Sequence, residues 1–442
     1  MKRVLVITYY WPPSGGSGVQ RWLKFAKYLP EFGWEPVIYT PLNPEANTTD
    51  EALLKDVSPD TEVIKRRIFE PYGFYKALMG KRGAPIKANI ISNGENKSLL
   101  HKLSMFVRGN LFIPDPRCLW IGPSVSYLKR YLRENPVDAI VSTGPPHSMH
   151  LIAKRVSKAM GIRWIADFRD PWTEIFYFKH LKLSRYALRR HKKLEQGVLD
   201  AADCVVVVSE KMREDFARRT KTPVRVVTNG FDPDDFVFDS KAQSGDAAGE
   251  RKFSLVHTGI LVDNGNPDKL WRLLGEMAQN DAGFRRDLEI RTMGQVDQSI
   301  VDDINRCGLG NNFVNMGYVA HNEATGWQQR ASLLLLPLRK EPEAAAILTG
   351  KFFEYVAASR PILAFGPVKS NLATALQESQ SGVICEWEDE VSMKMAIDSA
   401  YRRFLSGEEP AKGEFTAAQL KYSRKSLTGE LSGLLNGLIS KK

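Results

Sequence analysis

Short apolar runs alternate with stretches of helical periodicity along both halves of this 442-residue chain. Short apolar runs bounded by turn residues predict buried strands, and strands that alternate with helices predict a parallel sheet covered on both faces. In the first half we expect strands at residues 4–9, 36–39, 138–142, 164–166, 204–208 and 224–227. In the second half we expect them at residues 253–257, 288–291, 313–315, 333–336, 362–365 and 383–385. The pattern predicts an α/β fold with two doubly wound, Rossmann-like sheets.

A small, polar stretch at residues 240–251, SKAQSGDAAGER, separates the two patterns and predicts a linker. A chain of 442 residues is also too long for one ordinary core. We therefore predict an N-terminal domain over 1–238, a C-terminal domain over 252–412 and a closing helix over 413–442. The carboxyl ends of the strands are expected to line a cleft between the domains. Residues 70–118 follow neither pattern and are interpreted as an insertion.

Composition and charge limit the classes of protein to which the chain can belong. The hydrophobic fraction is 43%, and no apolar run approaches the ~20 residues of a membrane helix. The four cysteines are scattered without a Cys-x-x-Cys pair, which fits a reducing cytoplasm. Residues 1–240 carry 38 Lys and Arg against 26 Asp and Glu, whereas residues 241–442 carry 24 against 25. The first half is therefore expected to face something anionic: a membrane surface, a lipid phosphate or a nucleic acid.

Residues 349–367, TGKFFEYVAASRPILAFGP, combine a helix start with a lysine and a glutamate. Thr349 and Gly350 open a short helix, whose free N–H groups and partial positive charge suit a phosphate. Lys351 adds a full charge, and Glu354 lies about one turn away, where a carboxylate can accept ribose hydroxyls. The segment either holds the diphosphate and ribose of a nucleotide, or is a capped helix with two solvated charges.

A glycine-rich loop, YYWPPSGGSGVQRW, joins the first strand to a helix predicted over residues 19–32 and closed by Gly33. Gly15 and Gly16 lie where the backbone must approach a ligand closely, although such a turn can also be purely structural. The loop is neither a Gly-x-Gly-x-x-Gly fingerprint nor a Walker A loop.

Two further motifs follow predicted strands of the first half. His147, in STGPPHS, can hydrogen-bond a sugar hydroxyl or assist proton movement; the alternative is a surface histidine that caps a helix. Asp167 and Arg169, in DFRDPW, either bind acceptor hydroxyls or a phosphate, or belong to an ion-pair network that fixes the loop. The residues alone leave both alternatives open.

The order of these motifs resembles the retaining glycosyltransferases of the GT-B fold, specifically the large family 4 and its bacterial glycan-assembly type. The family's PPxxGG-type loop matches residues 12–16, and its Asn-Gly-x-Asp turn matches residues 229–232. Its helix with a glutamate, followed by a small-residue turn, a proline and an apolar strand, matches residues 352–365. The resemblance covers nearly the whole chain and implies an acceptor-binding first domain and a nucleotide-sugar-binding second domain.

The resemblance also assigns roles to individual residues. The family has two glutamates separated by seven residues; Glu354 matches the second, which holds the ribose. The first falls at Ala346, so the usual contact with the donor sugar is missing here. By the same resemblance, His147 lies near the transferred sugar.

A basic residue commonly follows the glycine of the first loop of the second domain, but here Gly259 is followed by Ile260. We therefore expect Lys351 to bind the phosphate instead, with Lys269 as the second candidate. Helix N-termini and Lys351 would stabilise the charge of the leaving phosphate. The resemblance implies catalysis without a bound metal or cofactor, and the lack of an Asp-x-Asp motif in a suitable loop agrees with this.

The implied activity is transfer of a sugar from a UDP- or GDP-linked donor to a glycan or lipid-linked acceptor, with retention, in surface polysaccharide biosynthesis. One alternative is a nucleotide-sugar 2-epimerase, which shares the two-domain fold. Another is a non-catalytic protein that binds a nucleotide sugar or a nucleic acid. Nucleic-acid binding is disfavoured because no recognised reading module accompanies the charge.

Residues 176–194, FYFKHLKLSRYALRRHKKL, mix seven Lys and Arg with aromatic and leucine residues. They form either an amphipathic helix that contacts anionic lipid, or a solvated helix packed on the core. In the acceptor domain of a glycosyltransferase, the first interpretation predicts peripheral contact with the inner face of the plasma membrane.

Overall fold

The computed structural model describes residues 1–45, 49–69, 106, 109–175, 178, 183–236, 251–408 and 415–440. The chain divides into two compact units, Met1–Thr228 with Leu427–Lys442, and Asn229–Ser426. The division falls at Thr228, earlier in the chain than the expected limit of 238. Residues 240–250 of the predicted linker and 70–105 of the predicted insertion lie outside the described residues.

The first unit is built on a seven-stranded parallel sheet with the order β3-β2-β1-β4-β5-β6-β7. Its strands are β1 Lys2–Ile7, β2 Trp34–Pro41, β3 Glu62–Arg66, β4 Ala139–Gly144, β5 Arg163–Phe168, β6 Cys204–Val207 and β7 Val224–Val226. The central strands are buried because helices cover both faces of such a sheet. The edge strand β3 was not predicted, since its sequence EVIKR is half-exposed and lacks an apolar run.

The helices described in the first unit are α1 Ser17–Tyr28, α2 Ile121–Glu134, α3 Ser148–Met160, α4 Arg185–Leu199 and α5 Glu210–Ala217. Near the end of the chain, α14 Arg424–Ile439 belongs to this unit from Leu427 onward. The first helix is shorter than predicted: Pro30 enters a 3-10 turn, and Gly33, at a φ of 81°, closes it. On α14, Leu427, Leu431 and Leu435 are buried in the core of this unit.

The second unit contains a six-stranded parallel sheet with the order β10-β9-β8-β11-β12-β13. Its strands are β8 Phe253–Thr258, β9 Leu288–Met293, β10 Phe313–Asn315, β11 Leu333–Pro337, β12 Ile362–Phe365 and β13 Gly382–Cys385. Its helices are α6 Asp268–Asn280, α7 Ala282–Asp287, α8 Gln298–Arg306, α9 His321–Arg330, α10 Gly350–Ala357, α11 Asn371–Ser379, α12 Glu390–Ser406 and α13 Ala417–Leu420. The prediction of two doubly wound α/β sheets is confirmed. Every predicted strand is present, to within two residues at either end.

Within the described residues, no helix is long and apolar enough to cross a membrane. In each sheet the predicted site residues follow the carboxyl ends of the strands, the usual ligand-binding edge of a doubly wound sheet.

Candidate functional site

The predicted donor residues meet at the carboxyl edge of the second sheet. Gly259 directly follows β8, and α10 begins at Gly350 with Thr349 as its N-cap, whose hydroxyl accepts a main-chain N–H of the first turn. Lys351 Cε lies 3.5 Å from the position that a Cβ would occupy on Gly259. The first N–H groups of a helix have no acceptor within it, so α10 presents donors beside Lys351.

Lys351 and Glu354 bind each other in the ligand-free chain. The distance from Lys351 Nζ to Glu354 Oε2 is 2.7 Å, and their side chains are 34% and 30% exposed. Gln328, which is fully buried in α9, donates to the same carboxylate oxygen at 3.4 Å and to Thr258 Oγ1 at 2.8 Å. Both charges are therefore open to a ligand, but a ligand that engages them must compete with their ion pair.

His257, on β8, is a buried residue of this edge that the sequence did not single out. Its Nδ1 lies 3.0 Å from the carbonyl oxygen of Leu335, so Nδ1 must carry the proton. Its Nε2 is buried, has no hydrogen-bond partner among the described residues, and lies 3.8 Å from the Cβ position of Gly259. Burial, assisted by the charge of Lys351 and opposed by the Leu335 carbonyl, lowers the pKa of His257 to about 4. A histidine within the run SLVHT has the pattern of a core residue, which is why sequence reasoning missed it.

Two glycines fix the loops that border this group. Gly259 has a φ of 128°, and its N–H donates to the Met293 carbonyl at 2.7 Å. Gly294 has a φ of 122°, and a Cβ there would stand 2.1 Å from the carbonyl oxygen of Gly259. No side chain fits at position 294 without moving the Gly259 loop.

Lys269 and Ala346 make their polar contacts with other residues. Lys269, in the first turn of α6, forms an ion pair with Glu388 at 3.4 Å. Among the described contacts, none joins Lys269 to Gly259 or Lys351. Ala346 ends a short 3-10 turn, and its carbonyl accepts a hydrogen bond from Asn371 at 2.9 Å. Lys351 is therefore the better placed of the two predicted phosphate binders.

In the first unit, Asp167 is the centre of a buried network. Arg21 donates to it from Nη2 at 2.9 Å, Trp22 from Nε1 at 2.8 Å and Thr143 from Oγ1 at 2.8 Å. Burial raises the pKa of Asp167, but the Arg21 charge and these hydrogen bonds outweigh it, so the pKa lies below its ordinary value. The contacts favour the structural alternative: Asp167 is 1% exposed, and both carboxylate oxygens are occupied.

At the carboxyl edge of the first sheet, Arg169 ties together the loop after β4, its own loop after β5 and the start of α1, which follows the glycine-rich loop. It donates from Nη1 to the Gly18 carbonyl at 2.8 Å and from Nη2 to the Pro145 carbonyl. The buried Nε of Arg169 has no partner among the described residues, and burial lowers the pKa of the Arg169 guanidinium. Gly15 and Gly16 precede α1 in one of these loops, with Gly16 at a φ of 93° as the N-cap.

His147 precedes α3 and is 7% exposed, so it is not a surface cap. Its ring stacks on Trp172, with centroids 4.6 Å apart and an interplanar angle of 1°. Nδ1 is buried without a partner among the described residues. Burial first, and then the charges of His150, Arg169 and His191, lower the pKa of His147 well below its ordinary value. The imidazole is therefore neutral, with an unused nitrogen beside the Arg169 loops.

Part of the chain matches a known protein family. Residues 86–235 match the family model for Glycosyltransferase Family 4. The matched stretch lies almost entirely in the first unit, whose longer segment ends at Thr228. A comparison of the sequence with curated proteins gave no match.

Solved structures match over the whole chain. Sucrose-phosphate synthase from Thermosynechococcus elongatus has a TM-score of 0.59 and 15% identity, covering 100% of both chains. Anabaena Alr3699/HepE in complex with UDP has a TM-score of 0.56 and 14% identity, covering 99% of this chain and 100% of that one. WaaG, a glycosyltransferase involved in lipopolysaccharide biosynthesis, has a TM-score of 0.53 and 13% identity, covering 98% and 100%. The family match over residues 86–235 and these structures confirm the predicted resemblance to GT-B glycosyltransferases of family 4, and the structures show the fold.

Proposed function

We propose that this chain, a glycosyltransferase of the GT-B type by its fold and its family 4 match, transfers a sugar from a UDP- or GDP-linked donor to a glycan or lipid-linked acceptor with retention. The observation that carries the proposal is the group formed by Gly259, Lys351 and Glu354 at the carboxyl edge of the second sheet. It offers a cation, helix N–H donors and a carboxylate within one helical turn. These are the groups that a nucleoside diphosphate requires.

In this proposal the donor separates the ion pair that the free chain contains. Glu354 accepts the ribose hydroxyls, and Lys351, released from the carboxylate 2.7 Å away, binds the diphosphate. As the glycosidic bond breaks, negative charge grows on the leaving phosphate. Fixed donors at that position, Lys351 and the first N–H groups of α10, stabilise it without a bound metal. The UDP in the Anabaena structure supports a UDP-linked donor.

The acceptor belongs to the first unit in this proposal. Neutral His147 offers an unpartnered ring nitrogen beside the loops that Arg169 holds, and these groups suit a polar sugar acceptor. WaaG, which acts in lipopolysaccharide biosynthesis, supports a role in surface polysaccharide assembly.

Helix α4 supports an acceptor carried by lipid. Five of its side chains are exposed cations: Arg185, Arg189, Arg190, Lys192 and Lys193. Within the described part of the chain, no ion pair occupies any of them. Tyr186 and Leu188, exposed by 71% and 37%, are large apolar side chains that the same helix exposes. Cations interleaved with such residues suit an anionic membrane surface.

A thermal-shift panel of nucleotide sugars tests the donor class. We expect the bound nucleotide sugar to raise the melting temperature, and Glu354→Gln to weaken its affinity by about 10- to 100-fold, since a charged hydrogen bond is lost. Glu276→Gln, on the exposed face of α6, is the matched control and should bind normally. Unchanged affinity in Glu354→Gln removes the ribose role from this residue.

Product analysis completes the test. The anomeric configuration of the transferred sugar, read by NMR, decides retention, and activity after treatment with EDTA decides metal independence. Release of free nucleotide with an altered sugar, in the absence of any acceptor, would instead show an epimerase. For the membrane surface, vesicle sedimentation should recover more protein with anionic than with neutral lipid; equal recovery discards the proposal for α4.

A further inference from the structure

His257 Nε2 is a buried polar atom that makes no hydrogen bond among the described residues of the free chain. The opposite ring nitrogen, Nδ1, holds the ring against the Leu335 carbonyl. Nε2 is then an acceptor with no donor among the described residues, which costs free energy that folding must offset elsewhere. It lies 3.8 Å from the Cβ position of Gly259, and Lys351 Cε, on the first turn of α10, lies 3.5 Å from the same position. Nε2 therefore borders the proposed phosphate site.

A neutral His257 is incompatible with a diphosphate in that site. Phosphate oxygens accept hydrogen bonds, and the unprotonated Nε2 is also an acceptor, so the two would repel each other. A protonated Nε2 would instead donate a charge-assisted hydrogen bond to a phosphate oxygen. The two negative charges of the diphosphate also favour the imidazolium, as opposite charges a few ångströms away do.

We propose that His257 is a ligand of the donor diphosphate, taking a proton from solvent as the donor binds and donating it from Nε2 to a phosphate oxygen. This inference rests on the proposed function and adds to it a residue that senses pH. The proton comes from the buffer, no covalent bond changes, and release of the nucleotide returns the proton.

The groups around His257 determine whether donor affinity rises or falls with pH. On β11 the Leu335 carbonyl accepts from Nδ1, and on α10 Lys351 lowers the pKa of His257. In the free chain the ring is therefore neutral at any pH well above 4. Between that pH and the higher pKa of the complex, donor affinity falls about tenfold for each unit that the pH rises.

Isothermal titration calorimetry of the full chain measures this proton. The probe is UDP-glucose, or GDP-mannose where it gives the larger thermal shift, because their esterified diphosphates have no group that titrates near neutral pH. Titrations at pH 6 in two buffers of different ionisation enthalpy give the number of protons taken up. We expect about one proton per bound donor, and none in His257→Gln.

Two substitutions test the roles of the two ring nitrogens separately. His257→Asn keeps a donor for the Leu335 carbonyl but has no atom at Nε2, so it should bind the donor about 10- to 100-fold more weakly at pH 6. His257→Gln places an amide N–H near Nε2 and should bind with an affinity that does not depend on pH. Melting temperatures of the free variants show that both are folded.

The outcomes separate this inference from the proposed function. Donor binding that depends on Glu354 but takes up no proton in the wild-type chain overturns the role of His257 and leaves the donor site in place. Equal affinities of His257→Asn and the wild type overturn it as well. If no nucleotide sugar binds, both the proposed function and this inference fail.

Discussion

Replacing Asp167 with alanine should destabilise the first unit severely, and the contacts of Asp167 determine by how much. The substitution removes the carboxylate that pairs with Arg21, whose side chain is 1% exposed. It also leaves Trp22 Nε1 and Thr143 Oγ1 without their acceptor. Arg21 keeps its hydrogen bonds to the main-chain carbonyls of Val227 and Thr228, at 2.9 and 2.8 Å.

Removing one partner of a buried ion pair costs about 3–5 kcal/mol, because the remaining charge stays buried without compensation. Each buried donor that loses its acceptor adds about 1–3 kcal/mol where the surroundings cannot relax. The two carbonyls that still accept from Arg21 offset part of the total. We therefore expect a loss of at least about 4 kcal/mol in the free energy of unfolding, a large part of the 5–15 kcal/mol typical of a domain.

Denaturant unfolding followed by tryptophan fluorescence measures this loss, since Trp22 itself bonds to Asp167. Lys211→Ala is the control in the same unit: it breaks a surface ion pair with Asp215 and should cost about 0.5 kcal/mol or less. Asp167→Asn keeps the shape of the side chain but not its charge, so its loss in the free energy of unfolding should lie between those of Asp167→Ala and Lys211→Ala. An Asp167→Ala chain with the stability of the wild type and impaired acceptor binding would refute the structural role and restore the acceptor role.

Three further predictions address other parts of the chain. Burial lowers the pKa of His150 to about 3, so the first unit should lose stability as the pH falls below 6.5, by about 2 kcal/mol at pH 5 from this residue. Denaturant unfolding at pH 7 and pH 5 should show that loss reduced in His150→Asn. Gly294→Ala should abolish donor affinity in calorimetry, whereas Gly308→Ala, at a φ of 74° in open space, should retain it and cost about 1 kcal/mol. Lys351→Ala should raise the Michaelis constant of the donor or lower turnover in steady-state kinetics; no change in either would place the phosphate site elsewhere.

The sequence predicted the two sheets because burial on both faces of a parallel strand demands a nearly continuous apolar run. Runs such as residues 333–336 and 362–365 are therefore visible without a structure. The edge strand β3 was missed because one side of an edge strand is solvated, so EVIKR contains three charged residues and no apolar run. The helix that Pro30 shortens was predicted too long, since periodicity continued through the 3-10 turn.

Lys351 and Glu354 were predictable as a pair because three residues along one helix place two side chains on one face. Local sequence contains that spacing, and it also contains the N-cap at Thr349. The contact with Gly259 depends on how separate strands align in the sheet, which spacing along the chain does not encode. Only the tertiary structure brought the three residues together.

The residues whose roles the sequence left open or missed are those whose role depends on burial. Asp167 and Arg21 lie far apart in the chain, yet the fold buries both and pairs them. His257 looks like one polar residue in an apolar strand, and its unpartnered nitrogen exists only because β11 engages the other side of the ring. The sequence by itself determined the elements and the local spacing of charges. The tertiary structure decided which polar atoms lose water and which find partners, because desolvation and hydrogen bonding depend on the position of every neighbouring element.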